Sequence, residues 1–205
     1  MTFAKAAVIC AALVNYLIVK TVEEEGNCWL DAIQNVPARR ELTQGISQAG
    51  KFPTTAAFRM DENFPDDTRL TDSLVNASQL LVVSSRFRQA LEEIPGALVG
   101  NEILPVAIIN HKGVREPSPY FVVHQVGHPA CLDEQRSVGG RSRSNPGKYE
   151  FLDKMVLDES KIDPDRMLFR AAQFPDVPLM RRDLAAKLAA KKLDGIELCE
   201  IDGYF

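Results

Sequence analysis

The segment FRMDENFPDDTRLTDSLVNASQLLVVSSRFRQAL, residues 58–91, decides the fold of this chain. It joins a polar, turn-rich loop to the apolar run 80–83, whose length and composition are typical of a short buried strand. A hydroxyl of Ser84 or Ser85 is expected to cap the helix that follows. Pro95 and the glycine after it end that helix. The segment therefore predicts a strand followed by a helix, with an acidic loop attached.

Strands and helices of mixed order are predicted along the rest of the chain. The predicted strands are 16–21, 58–61, 101–110, 120–126, 154–157, 167–170 and 196–201, and a second helix is predicted over 181–193. Gly195 is expected to end that helix as a left-handed cap. Pro105 places its strand at an edge or a bulge. The fold class is α+β, with a mixed sheet and two loosely repeated strand–helix–strand units.

Two stretches without periodicity are interpreted as loops. Residues 36–55 mix Pro, Gly, Gln and Thr, which favours a loop with one short turn of helix. Residues 139–147, GGRSRSNPG, are small and basic, and they are predicted to be the most flexible part of the chain.

Amino-acid composition and net charge limit the classes of protein to which this chain can belong. The chain has 205 residues, of which 45% are hydrophobic and 25% charged, as in ordinary globular domains. Its net charge of −4 argues against nucleic-acid binding and fits a basic partner. We expect one domain over residues 15–205, with possible halves at 15–110 and 111–205.

The amino terminus and the cysteines are the features from which the cellular compartment is predicted. The apolar run 6–14 follows Lys5 like the core of a signal peptide, but no small-x-small cleavage site comes after it. Residues 6–19 are also too short to span a bilayer, so residues 1–14 are interpreted as an N-terminal extension, with no membrane association. The four cysteines are scattered without a CxxC, which favours reduced, cytosolic thiols.

Candidate metal ligands are sparse. His124, His128 and Cys131 give the spacing H-x3-H-x2-C, and zinc prefers such donors. However, His124 falls in a predicted strand and His128 in a turn, so the two rings need not share a face. In the acidic loop, Phe64-Pro65 interrupts the alternation of oxygen ligands that calcium requires. The sequence predicts no cofactor and no metal.

Catalytic motifs are also missing from the sequence. It has no G-x-S-x-G, and its adjacent glycines are not followed by a helix, so the nucleophile elbow and phosphate-loop signatures are absent. A binding protein is therefore favoured over an enzyme. An enzyme would need His124, His128 or Asp133 to converge in a pocket.

A series of short motifs carries a family resemblance. They are Phe58-Arg59-Met60-Asp61, Phe64-Pro65, Leu74-x-Asn76, Leu81-Val82-Val83-Ser84-x-Arg86-Phe87, Leu104-Pro105-Val106, Tyr120-Phe121-Val122-Val123, Cys131-Leu132-Asp133, Val156-Leu157-Asp158 and Gly195-Ile196-Glu197. In their order and spacing, over residues 15–203, the chain resembles the eleventh immunity family of bacterial polymorphic toxin systems. That family is typified by a myxobacterial protein that protects against a nuclease toxin. His124 departs from the pattern, since the family more often carries a polar amide there.

The resemblance implies a cytoplasmic protein that binds and neutralises a cognate toxin, with no enzymatic activity of its own. The family's known pairing suggests a nuclease. A nuclease needs basic surface to hold phosphates, which an acidic inhibitor can cover with rapid, steered association. A non-catalytic adaptor or chaperone that loads an effector remains the alternative.

Two groups of carboxylates are predicted to contact the toxin. The first choice is Glu62, Asp66 and Asp67, and the second is Glu23, Glu24 and Glu25. Asp61 is excluded, because its place in the family pattern favours a structural role such as capping a turn.

Overall fold

The computed structural model describes residues 15–205, so the extension predicted at 1–14 lies outside the described residues. The strands are β1 Tyr16–Thr21, β2 Trp29–Leu30, β3 Ala57–Arg59, β4 Ser73–Asn76, β5 Leu81–Ser84, β6 Asn101–Ile109, β7 Tyr120–Gln125, β8 Val138–Arg141, β9 Tyr149–Lys154, β10 Leu168–Ala171, β11 Phe174–Arg181 and β12 Ile196–Cys199. The helices are α1 Arg39–Thr43, α2 Ser85–Glu92 and α3 Arg182–Ala189.

A six-stranded mixed sheet forms one part of the molecule. Its order is β2-β4-β5-β7-β6-β3, with parallel pairs at β2–β4 and β3–β6 and antiparallel pairs between the others. Bridges from Leu30 to Met60 and from Gln34 to Ala57 bring the two edges together. The sheet is therefore nearly closed around a buried cluster that includes Phe58.

The other main sheet has four antiparallel strands in the order β10-β11-β1-β12. Because side chains alternate along a strand, its two faces bury different clusters. Ile18 and Leu179 face the cluster shared with the β8–β9 ribbon, whereas Val19 and Met180 face the six-stranded sheet.

A layer of buried apolar side chains lies between the two main sheets and joins them; it is here called the middle layer. Leu81 and Val83 of β5 point into it, while Val82 between them points into the nearly closed sheet. Phe87 of α2 and Leu184 of α3 are fully buried in the same middle layer. Each such side chain contributes about 1.5–3 kcal/mol by leaving water. The apolar run 80–83 of the segment 58–91 is thus buried on both of its faces.

Several local predictions are confirmed. The first strand spans Tyr16–Thr21 as expected, and β5 is shifted by one residue from the apolar run. Ser84 is the N-cap of α2, since its hydroxyl accepts a hydrogen bond from the Phe87 N–H at 3.2 Å. Pro105 lies on a locally free edge, because β3 begins to pair with β6 only at Ala107.

Three local predictions are wrong. Gly139 and Gly140 belong to strand β8 rather than to a flexible loop, and a Cβ on Gly140 would lie 2.4 Å from the Phe151 ring. These glycines allow close approach between strands, which composition does not distinguish from flexibility. The strand predicted at 154–157 lies earlier, at β9. Helix α3 ends at Ala189, so Gly195, with φ +73°, shapes the turn before β12 rather than capping the helix.

The fold class is α+β with a mixed sheet, as predicted. In both strand–helix–strand units a further strand lies between the two strands, β7 between β5 and β6, and β1 between β11 and β12. The likeness of the units is one of topology, and their origin as a repeat stays a prediction. The sheets do not follow the division at residue 110, because β1 joins the later strands and β7 joins the earlier ones.

Candidate partner-binding surface

The two groups of carboxylates predicted to contact a partner lie on adjoining loops. The Asp67 carboxylate accepts a hydrogen bond from the Gly26 N–H at 2.7 Å. Beside it, the Arg69 N–H donates to the Gly26 carbonyl and the Cys28 N–H to the Arg69 carbonyl, both at 2.9 Å. Residues 23–26 and 61–67 therefore form one surface, here called the acidic loop pair.

Most carboxylates of the acidic loop pair form no ion pair with another residue of 15–205. Five are on exposed residues, and among residues 15–205 none of the five takes part in an ion pair. They are Glu23, Glu24, Glu25, Glu62 and Asp66. Asp67 differs, because it is half-buried and one of its oxygens is occupied by Gly26. The structure thus brings both predicted groups together and gives Asp67 a structural contact.

Asp61 shapes the loop. Its carboxylate accepts hydrogen bonds from the backbone and side-chain N–H groups of Asn63, both at 2.8 Å. Its own N–H donates to the Trp29 carbonyl at 2.9 Å. This is the turn-capping role expected of Asp61, and it holds the loop against β2.

A contact between two aromatic rings joins the acidic loop pair to strand β2. Phe64 stacks on Trp29 with ring centroids 5.0 Å apart and an interplanar angle of 24°, and Phe64 remains 39% exposed. The sequence motifs assigned Phe64 no role in binding. The available signal was an aromatic residue inside a polar loop with no apolar periodicity around it.

Asp72, in the same acidic stretch of sequence, is buried in a network with Asp194. Its carboxylate accepts from the Ser84 hydroxyl at 2.5 Å, from Arg86 Nη1 at 2.7 Å and from the Asp194 N–H at 3.1 Å. In return, the Asp72 N–H donates to Asp194 at 2.8 Å. Arg86 also donates to the carbonyls of Lys191 and Lys192, in the turn before Asp194. The network ties β5 and α2 to the turn after α3.

Charge on Asp194 is favoured by that network. Partial burial opposes ionisation, but hydrogen bonds from Asp72 and Arg69 outweigh it, so the pKa of Asp194 lies below its ordinary value. The Arg69–Asp194 distance is 2.9 Å. Asp194 is therefore an ionised partner of the loop that carries Asp72.

The histidines and Cys131 do not assemble into a site. His124 Nε2 lies 2.9 Å from the Ile46 carbonyl, and burial lowers the pKa of His128 to about 4. Cys131 is buried in the cluster beneath β9 and β11, and Asp133 caps its own turn. Within residues 15–205, no group of three or more His, Cys, Asp or Glu side chains is placed to hold a metal ion.

Cys28 and Cys131 lack the environment of a nucleophile. The described cysteines are free thiols. Burial raises the pKa of Cys28 to about 12 and that of Cys131 to about 11, so both are protonated near neutral pH. A buried, protonated thiol is inert.

A cleft of about 270 Å³ separates β1 from the turn between β4 and β5. Buried Arg170 lines it and donates to the Gln79 carbonyl at 2.7 Å, to Gln125 Oε1 at 3.0 Å and to the Pro175 carbonyl. These acceptors come from both main sheets. Arg170 therefore fastens the sheets together, a role that the sequence did not reveal.

Across residues 15–205, none of the helices combines the length and apolar character needed to cross a membrane. A search of curated proteins returned no match to the chain. The model of one family, described as the Immunity protein family (Imm11), matches residues 16–202. Because that match covers nearly the whole sequence, this chain belongs to the Immunity protein family (Imm11).

Proposed function

We propose that this protein binds a cognate bacterial toxin directly and neutralises it in the cytoplasm, without catalysis of its own. The observation that carries this proposal is the family match over residues 16–202. Residues 15–205 act in this proposal as one binding unit. The toxin that we favour is a nuclease, since a nuclease must present basic surface to hold phosphates and this chain carries a net charge of −4.

The acidic loop pair is the proposed contact surface. Glu62 and Asp66 are exposed and have no ion-pair partner among the described residues, so binding a lysine or arginine of the toxin breaks no ion pair within residues 15–205. Glu23, Glu24 and Glu25 extend the same negative surface. A surface of this kind steers a basic partner and raises its association rate.

Protection of a susceptible host tests the function. The toxin domain encoded beside this gene is expressed with and without the full chain, and survival and DNA integrity are followed. We expect rescue, intact DNA and co-purification of the two proteins. Death despite abundant soluble protein would reject this pairing, and co-purification without rescue would favour an adaptor.

Charge reversal tests the surface. In the variant Glu62→Lys/Asp66→Lys we expect the association rate with the toxin to fall by about tenfold or more in low salt, because electrostatic steering is lost. The difference should shrink as salt is added. Both residues are exposed, so the free energy of unfolding should stay within about 0.5 kcal/mol of wild type.

A matched control uses the same change of charge elsewhere. Glu150 and Asp153 are exposed carboxylates on β9, away from the acidic loop pair in sequence. The variant Glu150→Lys/Asp153→Lys should bind the toxin at nearly the wild-type rate. Equal loss in the two double variants would show that only net charge matters, and no loss in either would reject the acidic loop pair.

A further inference from the structure

We infer that Phe64 is the anchor of the acidic loop pair and that it receives an arginine side chain from a basic protein partner. This inference rests on the proposed function and specifies the chemistry of its contact. The outward surface of Phe64, the part that Trp29 leaves uncovered, is where the guanidinium would lie.

The Phe64 ring is held in place before any partner arrives. It stacks on Trp29, which belongs to β2, and Asp61 fixes the turn before it through the Asn63 N–H. A side chain that is already ordered loses little conformational entropy on binding. Interface residues that dominate affinity are commonly such rigid aromatic anchors.

Phe64 is exposed, and it does not pack in the hydrophobic core as other phenylalanines do. Phe58, Phe87 and Phe169 are fully buried, whereas Phe64 and Phe151 are the exposed phenylalanines of residues 15–205. Phe151 covers Gly140 of β8, because a Cβ there would lie 2.4 Å from its ring. Among residues 15–205, the stack on Trp29 is the ring contact that Phe64 makes, and Phe64 covers no glycine.

The surrounding charge selects the partner. Exposed Glu62 and Asp66 flank Phe64 in sequence. A cation over an aromatic ring is attracted by the ring's negative face. Arginine fits better than lysine, because its planar guanidinium can stack on the ring while its N–H groups reach a carboxylate.

The chain itself contains this kind of contact. Arg88 lies over the Phe121 ring with 4.6 Å between the guanidinium carbon and the ring centroid, and Arg141 lies over Tyr149 at 3.9 Å. In both cases the ring receives an arginine from within the molecule. Phe64 receives none from the described residues, which leaves that position to a partner.

Trp29 provides the readout, because it is the only tryptophan of the chain. The full protein is titrated with a hexa-arginine peptide and with a hexa-lysine peptide, and Trp29 fluorescence is followed. We expect hexa-arginine to bind about two- to fivefold more tightly and to change the emission more strongly. Phe64→Leu, which keeps an apolar side chain but removes the ring, should abolish this preference.

Two further variants make the test decisive. Phe64→Tyr keeps the ring and should keep the preference, and Phe151→Leu should leave it unchanged. Equal binding of the two peptides, no saturable binding of either, or a preserved preference in Phe64→Leu would each overturn the inference. Since the peptides replace the toxin, these outcomes are independent of the protection experiment.

Discussion

Asp66 and Asp72 belong to the same acidic stretch of sequence, yet the tertiary structure gives them opposite environments. Asp66 is exposed, and no described residue forms an ion pair with it. Asp72 is 6% exposed, and its carboxylate accepts from Ser84, Arg86 and the Asp194 backbone. The two side chains carry the same carboxyl group, but that of Asp66 faces solvent, whereas that of Asp72 accepts hydrogen bonds from the protein.

The difference shows why a count of carboxylates does not locate a binding surface. A buried carboxylate must have its hydrogen bonds supplied by the chain, because an unpaired charge out of water is strongly unfavourable. Asp72 is committed to that internal role. Asp66 has no such commitment, so its charge is available to a partner.

The largest expected effect comes from removing the buried carboxylate of Asp72. Asp72→Ala should lower the free energy of unfolding by about 2–3 kcal/mol, because several donors lose their acceptor. The loss stays below that of a fully buried ion pair because the Arg86 side chain is 56% exposed and can turn to water. Urea unfolding measures the change.

Asp66→Ala is the control for that prediction, since it removes the same group from the exposed side. It should change the free energy of unfolding by less than about 0.5 kcal/mol. Equal effects of the two variants would contradict the contrast between them.

Asp67 is intermediate between Asp66 and Asp72, because it is half-buried and its carboxylate accepts one hydrogen bond from the backbone. Asp67→Ala should lower the free energy of unfolding by about 1 kcal/mol, because the Gly26 N–H loses its acceptor while the backbone hydrogen bonds around Arg69 still join the loops. Asp67→Asn keeps an oxygen that can accept from Gly26, so it should cost less than half as much. Urea unfolding of both variants checks this. If both lost stability equally, the charge rather than the hydrogen bond would be what joins the loops.

Apart from the Asp66 control, the smallest expected effect is a dependence of the free energy of unfolding on pH through Asp194. Its pKa in the folded state lies below the ordinary 3.8, so ionised Asp194 contributes stability above about pH 4. That contribution is lost as the pH falls below 3.8 and through the folded-state pKa. Since 45% of the Asp194 side chain is exposed, the effect should be less than about 1 kcal/mol.

Acid unfolding of wild type and Asp194→Asn measures this dependence. The difference between their free energies of unfolding should be constant near neutral pH and should shrink toward about pH 3. A difference that does not change over this range would mean that the charge of Asp194 adds nothing to the network.

Local sequence signals were sufficient where a single element decides its own structure. The strand Tyr16–Thr21, the strand before Ser84 and the cap of α2 follow from apolar periodicity and from the hydroxyl of Ser84, which bonds within one turn of helix. The β8 strand was missed because its glycines are explained only by Phe151 and Leu152 on the neighbouring strand. Such a contact has no local signature.

The α+β class, the family resemblance and the choice of acidic loops could be predicted from the sequence, because they depend on the kind and order of residues. Three contacts became visible only in the folded chain: Gly26 with Asp67, Phe64 with Trp29, and Asp72 with Asp194. Each of these contacts links residues far apart in the chain. Burial and hydrogen bonding between distant segments therefore set which carboxylates are exposed and which are held inside the protein.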